Sequence, residues 1–305
     1  TAAFLSLLVG TTALPALQFS KFQTENLRFF LISAKLNFWE CFAKLHLTNE
    51  SISMNSGYFK TKDQTFLSYS YSGSGPIDVI ILHGGLGDSR EMAAISNNLD
   101  PRTFRLIQME FRGHGMSYHG TKDLDYNLYA DDAFFLMDDL GIKTASVIGY
   151  SDGAITGLVM AYTQPERIRT VVAISPDTGR AGWNETIDLS TTFDELKQNE
   201  EMRADYSEIS PEPEKFELLL SRVKALWESE KHLDLEKLKE IKAFCWIVGS
   251  ENDEYIKKED LDLIQKEIPN ADKYFFFDLT HGEITPSIAE LFIGNDHVLT
   301  SILKG

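Results

Sequence analysis

From about residue 57 onward the chain alternates between two hydrophobic rhythms. Short, nearly unbroken apolar runs occur at 77–82, 145–149, 169–175 and 243–249. Runs of this length and β-branched content predict strands buried on both faces. Less uniform strand patterns lie at 57–62, 65–72, 105–110 and 273–278. Between them, apolar positions recur every three or four residues over 90–99, 128–140, 154–162, 258–267 and 284–303, the spacing of amphipathic helices. Strands and helices taken in strict turn predict a mostly parallel sheet with helices on both faces, an α/β fold.

Residues 177–241 break that rhythm. Between Arg180 and Glu240 they carry 16 acidic against nine basic side chains and no buried-strand pattern. This reads as a helical cap inserted into a core made of 54–176 and 242–305. Phe216, Leu219, Leu220, Val223, Leu226 and Trp227 fall on one helical face, and Thr192 with Glu195 has the spacing of a capping box. Most of that face packs the cap onto the core, while Trp183 and Trp227 are candidates to line a pocket.

The first 53 residues form a separate appendage. Residues 2–19 are uncharged, with Gly10 and Pro15 inside the stretch, and Leu27, Phe30, Leu31, Ala34, Phe38, Phe42 and Leu45 mark an amphipathic helix. Membrane contact is expected only through residues 1–20, as a signal or anchor.

A formal net charge of −17 excludes phosphate-rich partners, because no cluster of Lys and Arg is present to neutralise them. Two cysteines, Cys41 and Cys245, cannot form a disulfide framework and lack metal-ligand spacing, which suits a cytoplasmic protein. No nucleic-acid partner is expected, and the sequence leaves the oligomeric state open.

The candidate chemistry centres on Gly149-Tyr150-Ser151-Asp152-Gly153, which lies between a strand pattern and a helix pattern. That setting makes it a nucleophile elbow, with Ser151 presented on a sharp strand-to-helix turn. Serine needs a base, and the base an orienting carboxylate. Asp253 follows one strand by a short loop and His281 follows the next by another, so both arrive at the same sheet edge as Ser151. Asp177, Glu251 and Glu254 compete for the acid, and His297 for the base. The oxyanion donors expected are the backbone N–H groups of Asp152 and Gly85, with Leu86 as second choice. His83 and His114 are read as loop braces. The Asp152 carboxylate has two readings: a partner for a substrate ammonium, or favourable charge at the helix start.

Together, Leu82-His83-Gly84-Gly85, Phe111-Arg112-Gly113-His114-Gly115-Met116-Ser117, the elbow, Asp253 and His281 resemble the α/β-hydrolase superfamily over about residues 57–303. The Ser-Asp-Gly elbow is similar to that of valacyclovir-hydrolase-type esterases, with Tyr150 where Trp is usual and Glu110 ahead of the Arg-Gly-His-Gly loop. The resemblance implies an eight-stranded sheet, a helical cap over the site and cofactor-free hydrolysis. The expected activity is hydrolysis of small to medium carboxylic esters through an acyl-enzyme on Ser151, with Tyr150, Trp183 and Trp227 contacting substrate. Lactone, amide or carbon–carbon bond hydrolysis are alternatives on the same triad. A ligand-binding receptor or pseudoenzyme on this scaffold is the alternative of another class.

Overall fold

The structure is a computed structural model and describes residues 55–293. The readings for residues 1–53 (Cys41 among them) and for His297 lie outside the described residues.

Eight strands form one sheet: β1 (Asn55–Lys60), β2 (Phe66–Ser72), β3 (Ile77–Leu82), β4 (Phe104–Met109), β5 (Ala145–Tyr150), β6 (Ile168–Ile174), β7 (Phe244–Ser250) and β8 (Ala271–Phe276). Their spatial order is β1-β2-β4-β3-β5-β6-β7-β8, antiparallel between β1, β2 and β4 and parallel from β4 onward. Every residue of β5 is buried, which is why its sequence shows no polar alternation. Alternation reappears as a division between two cores. Ile80 and Leu82 of β3 join the cluster on one face, and Val79 and Ile81 join the cluster on the other.

The helices cover both faces. After a 3-10 turn at Ser89–Met92 comes the single turn α1 (Ala93–Ser96), then α2 (Tyr126–Asp139) and α3 (Asp152–Thr163). Between β6 and β7 the chain leaves the sheet and forms α4 (Leu189–Lys197), α5 (Glu200–Ile209), α6 (Phe216–Trp227) and α7 (Leu235–Leu238). α8 (Lys258–Glu267) and α9 (His281–Ile293) complete the order. Leu136, Met137, Ile155, Leu158 and Val159 of α2 and α3 fill one core; Ile95 of α1 with Ile284 and Ile288 of α9 fills the other.

Two local expectations change. The helix expected over 90–99 is a 3-10 turn followed by one α-helical turn, ended before Pro101. The capping box expected at Thr192 is not formed there, because Asp188 caps α4 and accepts from Ser190 N–H, leaving Thr192 inside the helix. The reciprocal contact occurs at the start of α9, where Glu283 Oε2 accepts from both the N–H (3.0 Å) and the hydroxyl (2.8 Å) of Thr280. That contact fixes the residue at the head of α9, His281.

Candidate active site

β5 runs into α3 with a single residue between them, Ser151, at φ 51° and ψ −117°. A serine at positive φ stores about 1–3 kcal/mol of strain and needs surroundings that impose it. Here its N–H donates to Ile174 O at 2.8 Å, and its carbonyl accepts from Ala154 and Ile155 N–H at 2.8 and 3.0 Å. The flanking glycines are dictated by close approach. A Cβ on Gly149 would lie 2.1 Å from Gly153 O, and one on Gly153 would lie 2.3 Å from Leu82 O. The elbow is therefore wedged against the loop that follows β3.

Asp253, after β7, and His281, after β8, meet further along the same edge, beyond β6. Asp253 Oδ1 accepts from the N–H groups of Tyr255 (2.9 Å) and Ile256 (3.0 Å), and Oδ2 accepts from His281 Nδ1 at 2.7 Å. Burial pushes the Asp253 carboxyl up, but His281 and the two backbone donors outweigh it and hold the group below the ordinary carboxylate range. Burial pushes His281 down, yet the Asp253 hydrogen bond and charge, with Glu254 and Glu91 behind, leave it above the ordinary imidazole value. With Nδ1 as donor, a neutral His281 presents its lone pair at Nε2. The backbone of His281 is also held: its N–H donates to Glu254 Oε2 at 2.8 Å and its carbonyl accepts from the Tyr150 hydroxyl at 3.2 Å. Tyr150 precedes Ser151, and its ring lies 5.0 Å from the imidazole, centre to centre. Among the described residues no hydrogen bond joins His281 Nε2 to Ser151 Oγ.

Two of the competing acids are otherwise engaged. Glu254 holds the His281 backbone, Asp177 accepts from His232 Nδ1 at 2.5 Å, and Glu251 is exposed.

For the oxyanion, neither the Gly85 nor the Asp152 N–H meets an acceptor among the described residues. The second choice, Leu86, is withdrawn: its N–H already donates to His114 Nε2 at 3.1 Å. Gly85 stands against the elbow, since a Cβ there would lie 2.5 Å from Asp152 Oδ2 and 2.6 Å from Trp227 Cζ2. The Asp152 carboxylate lies in the first turn of α3. It is buried, accepting from the Tyr126 hydroxyl (2.9 Å) and from Trp227 Nε1 (3.0 Å), and burial pushes it up to about 6.

The remaining aromatic candidates form a continuous wall. Ring centres step from His281 to Tyr255 (5.4 Å), Trp183 (6.0 Å), Trp227 (5.5 Å) and Phe193 (5.4 Å), so Trp183 and Trp227 connect to His281 through Tyr255. Sequence reasoning missed Tyr126, Tyr255 and Phe193. Only Tyr255, two residues beyond Asp253, carries a local signal. No group of three or more His, Cys, Asp or Glu side chains among the described residues could hold a metal ion. No helix among them is long and apolar enough to cross a membrane.

Residues 78–209 match a sequence family described as alpha/beta hydrolase fold. A mouse protein named serine hydrolase BPHL is 34% identical over 110 residues, which is 35% of this chain and 38% of the mouse protein. The chain spans about two fifths of the length of the curated relatives it matches, as with the 41% of a Bacillus subtilis hydrolase, YraK, to which it is 30% identical over 112 residues, 36% of this chain. Among solved structures, the esterase EaEST from Exiguobacterium antarcticum superposes with a TM-score of 0.66 at 19% identity, covering 81% of this chain and 99% of that one.

Proposed function

The chain belongs to the α/β-hydrolase superfamily, and from that premise we propose that it is a serine hydrolase of small to medium carboxylic esters. The observation that carries this reading is the 2.7 Å bond between His281 Nδ1 and Asp253 Oδ2, on the sheet edge where Ser151 is held at positive φ. As His281 Nε2 takes the Ser151 proton, Oγ attacks the ester carbonyl. The developing oxyanion accepts hydrogen bonds from the Gly85 and Asp152 N–H groups, each worth about 3–4 kcal/mol in such sites. Collapse expels the alcohol, protonated by His281, and water repeats the steps on the acyl-enzyme. The contact between base and nucleophile forms in the substrate complex, where such bonds tighten.

Residues 177–241 act as the cap, and the wall of Tyr150, Tyr255, Trp183 and Trp227 supplies the apolar side of the substrate pocket. The reaction so written needs no cofactor, and with two cysteines it suits a cytoplasmic enzyme. The test is the initial rate of hydrolysis of p-nitrophenyl esters, acetyl to decanoyl, by the full chain and by Ser151→Ala. The expected result is turnover in the parent that falls by about 10⁴-fold or more in the variant. Absence of turnover, or turnover that survives the substitution, overturns the reading.

A further inference from the structure

Two buried histidines outside the triad exchange hydrogen bonds between the loop after β3 and the loop after β4. His83 Nδ1 meets the carbonyl of its neighbour Gly84 at 2.7 Å, while its Nε2 faces the N–H of Phe111 at 3.0 Å. His114 Nδ1 meets the carbonyl of Arg112 at 3.0 Å, while its Nε2 faces the N–H of Leu86 at 3.1 Å. A carbonyl can only accept and a backbone N–H can only donate, so each ring carries its proton on Nδ1 and a lone pair on Nε2. The rings are 5.3 Å apart, and both residues are 1% exposed. Each histidine thus donates within its own loop and accepts from the other.

The Leu86 contact bears on the chemistry. Leu86 has φ +62°, a conformation an apolar side chain adopts only under constraint, and it follows Gly85 directly. Without an acceptor for its N–H, the Leu86 peptide loses a bond that opposes this strain, leaving the turn bond from Gly87 N–H to Gly84 O at 3.3 Å to hold the Gly85–Leu86 segment. The His114 carbonyl partner is itself anchored, because the Arg112 guanidinium is buried between Asp132 and Asp63 with contacts of 2.6–2.9 Å. A rigid path therefore runs from Arg112 through His114 to Leu86.

The geometry points to His114 as a positioning residue that aims the Gly85 N–H at the oxyanion by holding Leu86 in its left-handed conformation. This inference rests on the serine-hydrolase reading. Burial pushes the His114 ring down to about 3, so it stays neutral, as the role requires.

The experiment compares the full chain with His114→Ala, His114→Gln and, as a control, His119→Ala. His119 is equally buried and bonds the Tyr206 hydroxyl at 2.9 Å. Each is measured for kcat and KM on a p-nitrophenyl ester and for the rate of inactivation by diethyl p-nitrophenyl phosphate, whose transition state also places negative charge in the oxyanion site. The expected result for His114→Ala is a fall of about 10- to 100-fold in kcat and in inactivation rate, with KM within about 2-fold. His114→Gln, whose amide oxygen can accept from Leu86, regains most of that loss, and His119→Ala keeps kcat within about 2-fold. Unchanged kcat in His114→Ala, or an equal loss in His119→Ala, overturns the inference. Failure of the phosphate ester to inactivate the parent at Ser151 overturns the serine-hydrolase reading and the inference with it. Where His114→Ala does not fold, imidazole ¹⁵N spectra of the parent decide: a neutral Nδ1–H ring at His114 supports the inference, and an Nε2–H ring or an imidazolium overturns it.

Discussion

The protein contains two Asp–His pairs at the ends of neighbouring strands, Asp177–His232 after β6 and Asp253–His281 after β7, and their contacts separate a clamp from a candidate catalyst. The first pair is at 2.5 Å and the second at 2.7 Å, so distance alone does not sort them. The other ring nitrogen does. His232 Nε2 faces Leu226 O at 3.1 Å, so both of its nitrogens must donate and the ring is an imidazolium fixed against a carboxylate. Its side chain has no exposure, and its backbone N–H and that of Leu233 both donate to Thr178 O, tying the end of the helical excursion to β6. Among the described residues no hydrogen bond engages His281 Nε2; its side chain is 12% exposed, and its backbone is anchored instead. A histidine can shuttle a proton only if one nitrogen is left uncommitted.

Substitutions at the two pairs and at Asp152 test this contrast. The largest effect is expected from Asp253→Asn, which removes the charge that orients His281: kcat on an ester falls by about 10⁴-fold. The same variant tests the raised pKa of His281. Activity requires the neutral ring, so kcat/KM in the parent should rise with pH through a midpoint above 6.5, and in the variant that midpoint should move to lower pH. A midpoint in the parent below 6.5 would contradict the account.

His232→Ala should do the reverse. It leaves Asp177 buried without its counter-charge and costs about 3–5 kcal/mol in urea unfolding at pH 6, while kcat per folded molecule stays within about 3-fold. The folded pKa of His232 is raised. Its stabilisation is therefore fully present below the unfolded value of about 6.5 and declines as pH rises through the folded value, so the cost of the substitution should shrink at pH 9. An equal cost at both pH values would remove the ion pair from the explanation.

A smaller effect is expected at Asp152, whose carboxyl titrates near 6 in the fold against about 3.9 unfolded. Between those values the folded state holds the extra proton, so stability falls as pH rises from about 4 to 6 and stays reduced above. Asp152→Asn should therefore stabilise the protein by about 1–3 kcal/mol at pH 8 and by nothing near pH 3. Stability unchanged at pH 8 would argue against that burial penalty.

What could be read from the chain was what local sterics impose. Ser151 was legible because only glycine fits at 149 and 153, and because the strand and helix rhythms meet there. Asp253 and His281 were legible because a parallel sheet delivers the loops after its strands to one edge. His232 gave no such signal: its partner Asp177 lies 55 positions away, and the pair exists only because the excursion folds back on β6. Tyr126 reaches Asp152 across 26 positions in the same way. Thr192 misled because its spacing to Glu195 is right while Asp188, four residues earlier, offers a carboxylate at a position where the chain can turn. The Leu86 N–H was lost as a candidate to a side chain 28 residues away.

The most direct measurement is covalent labelling by a fluorophosphonate, followed by mass mapping of the modified residue, in the full chain, His281→Ala and His232→Ala. The expected result is rapid labelling at Ser151 in the parent and in His232→Ala, and labelling slowed by orders of magnitude in His281→Ala. Labelling at another residue, or equal rates in the two histidine variants, would contradict it.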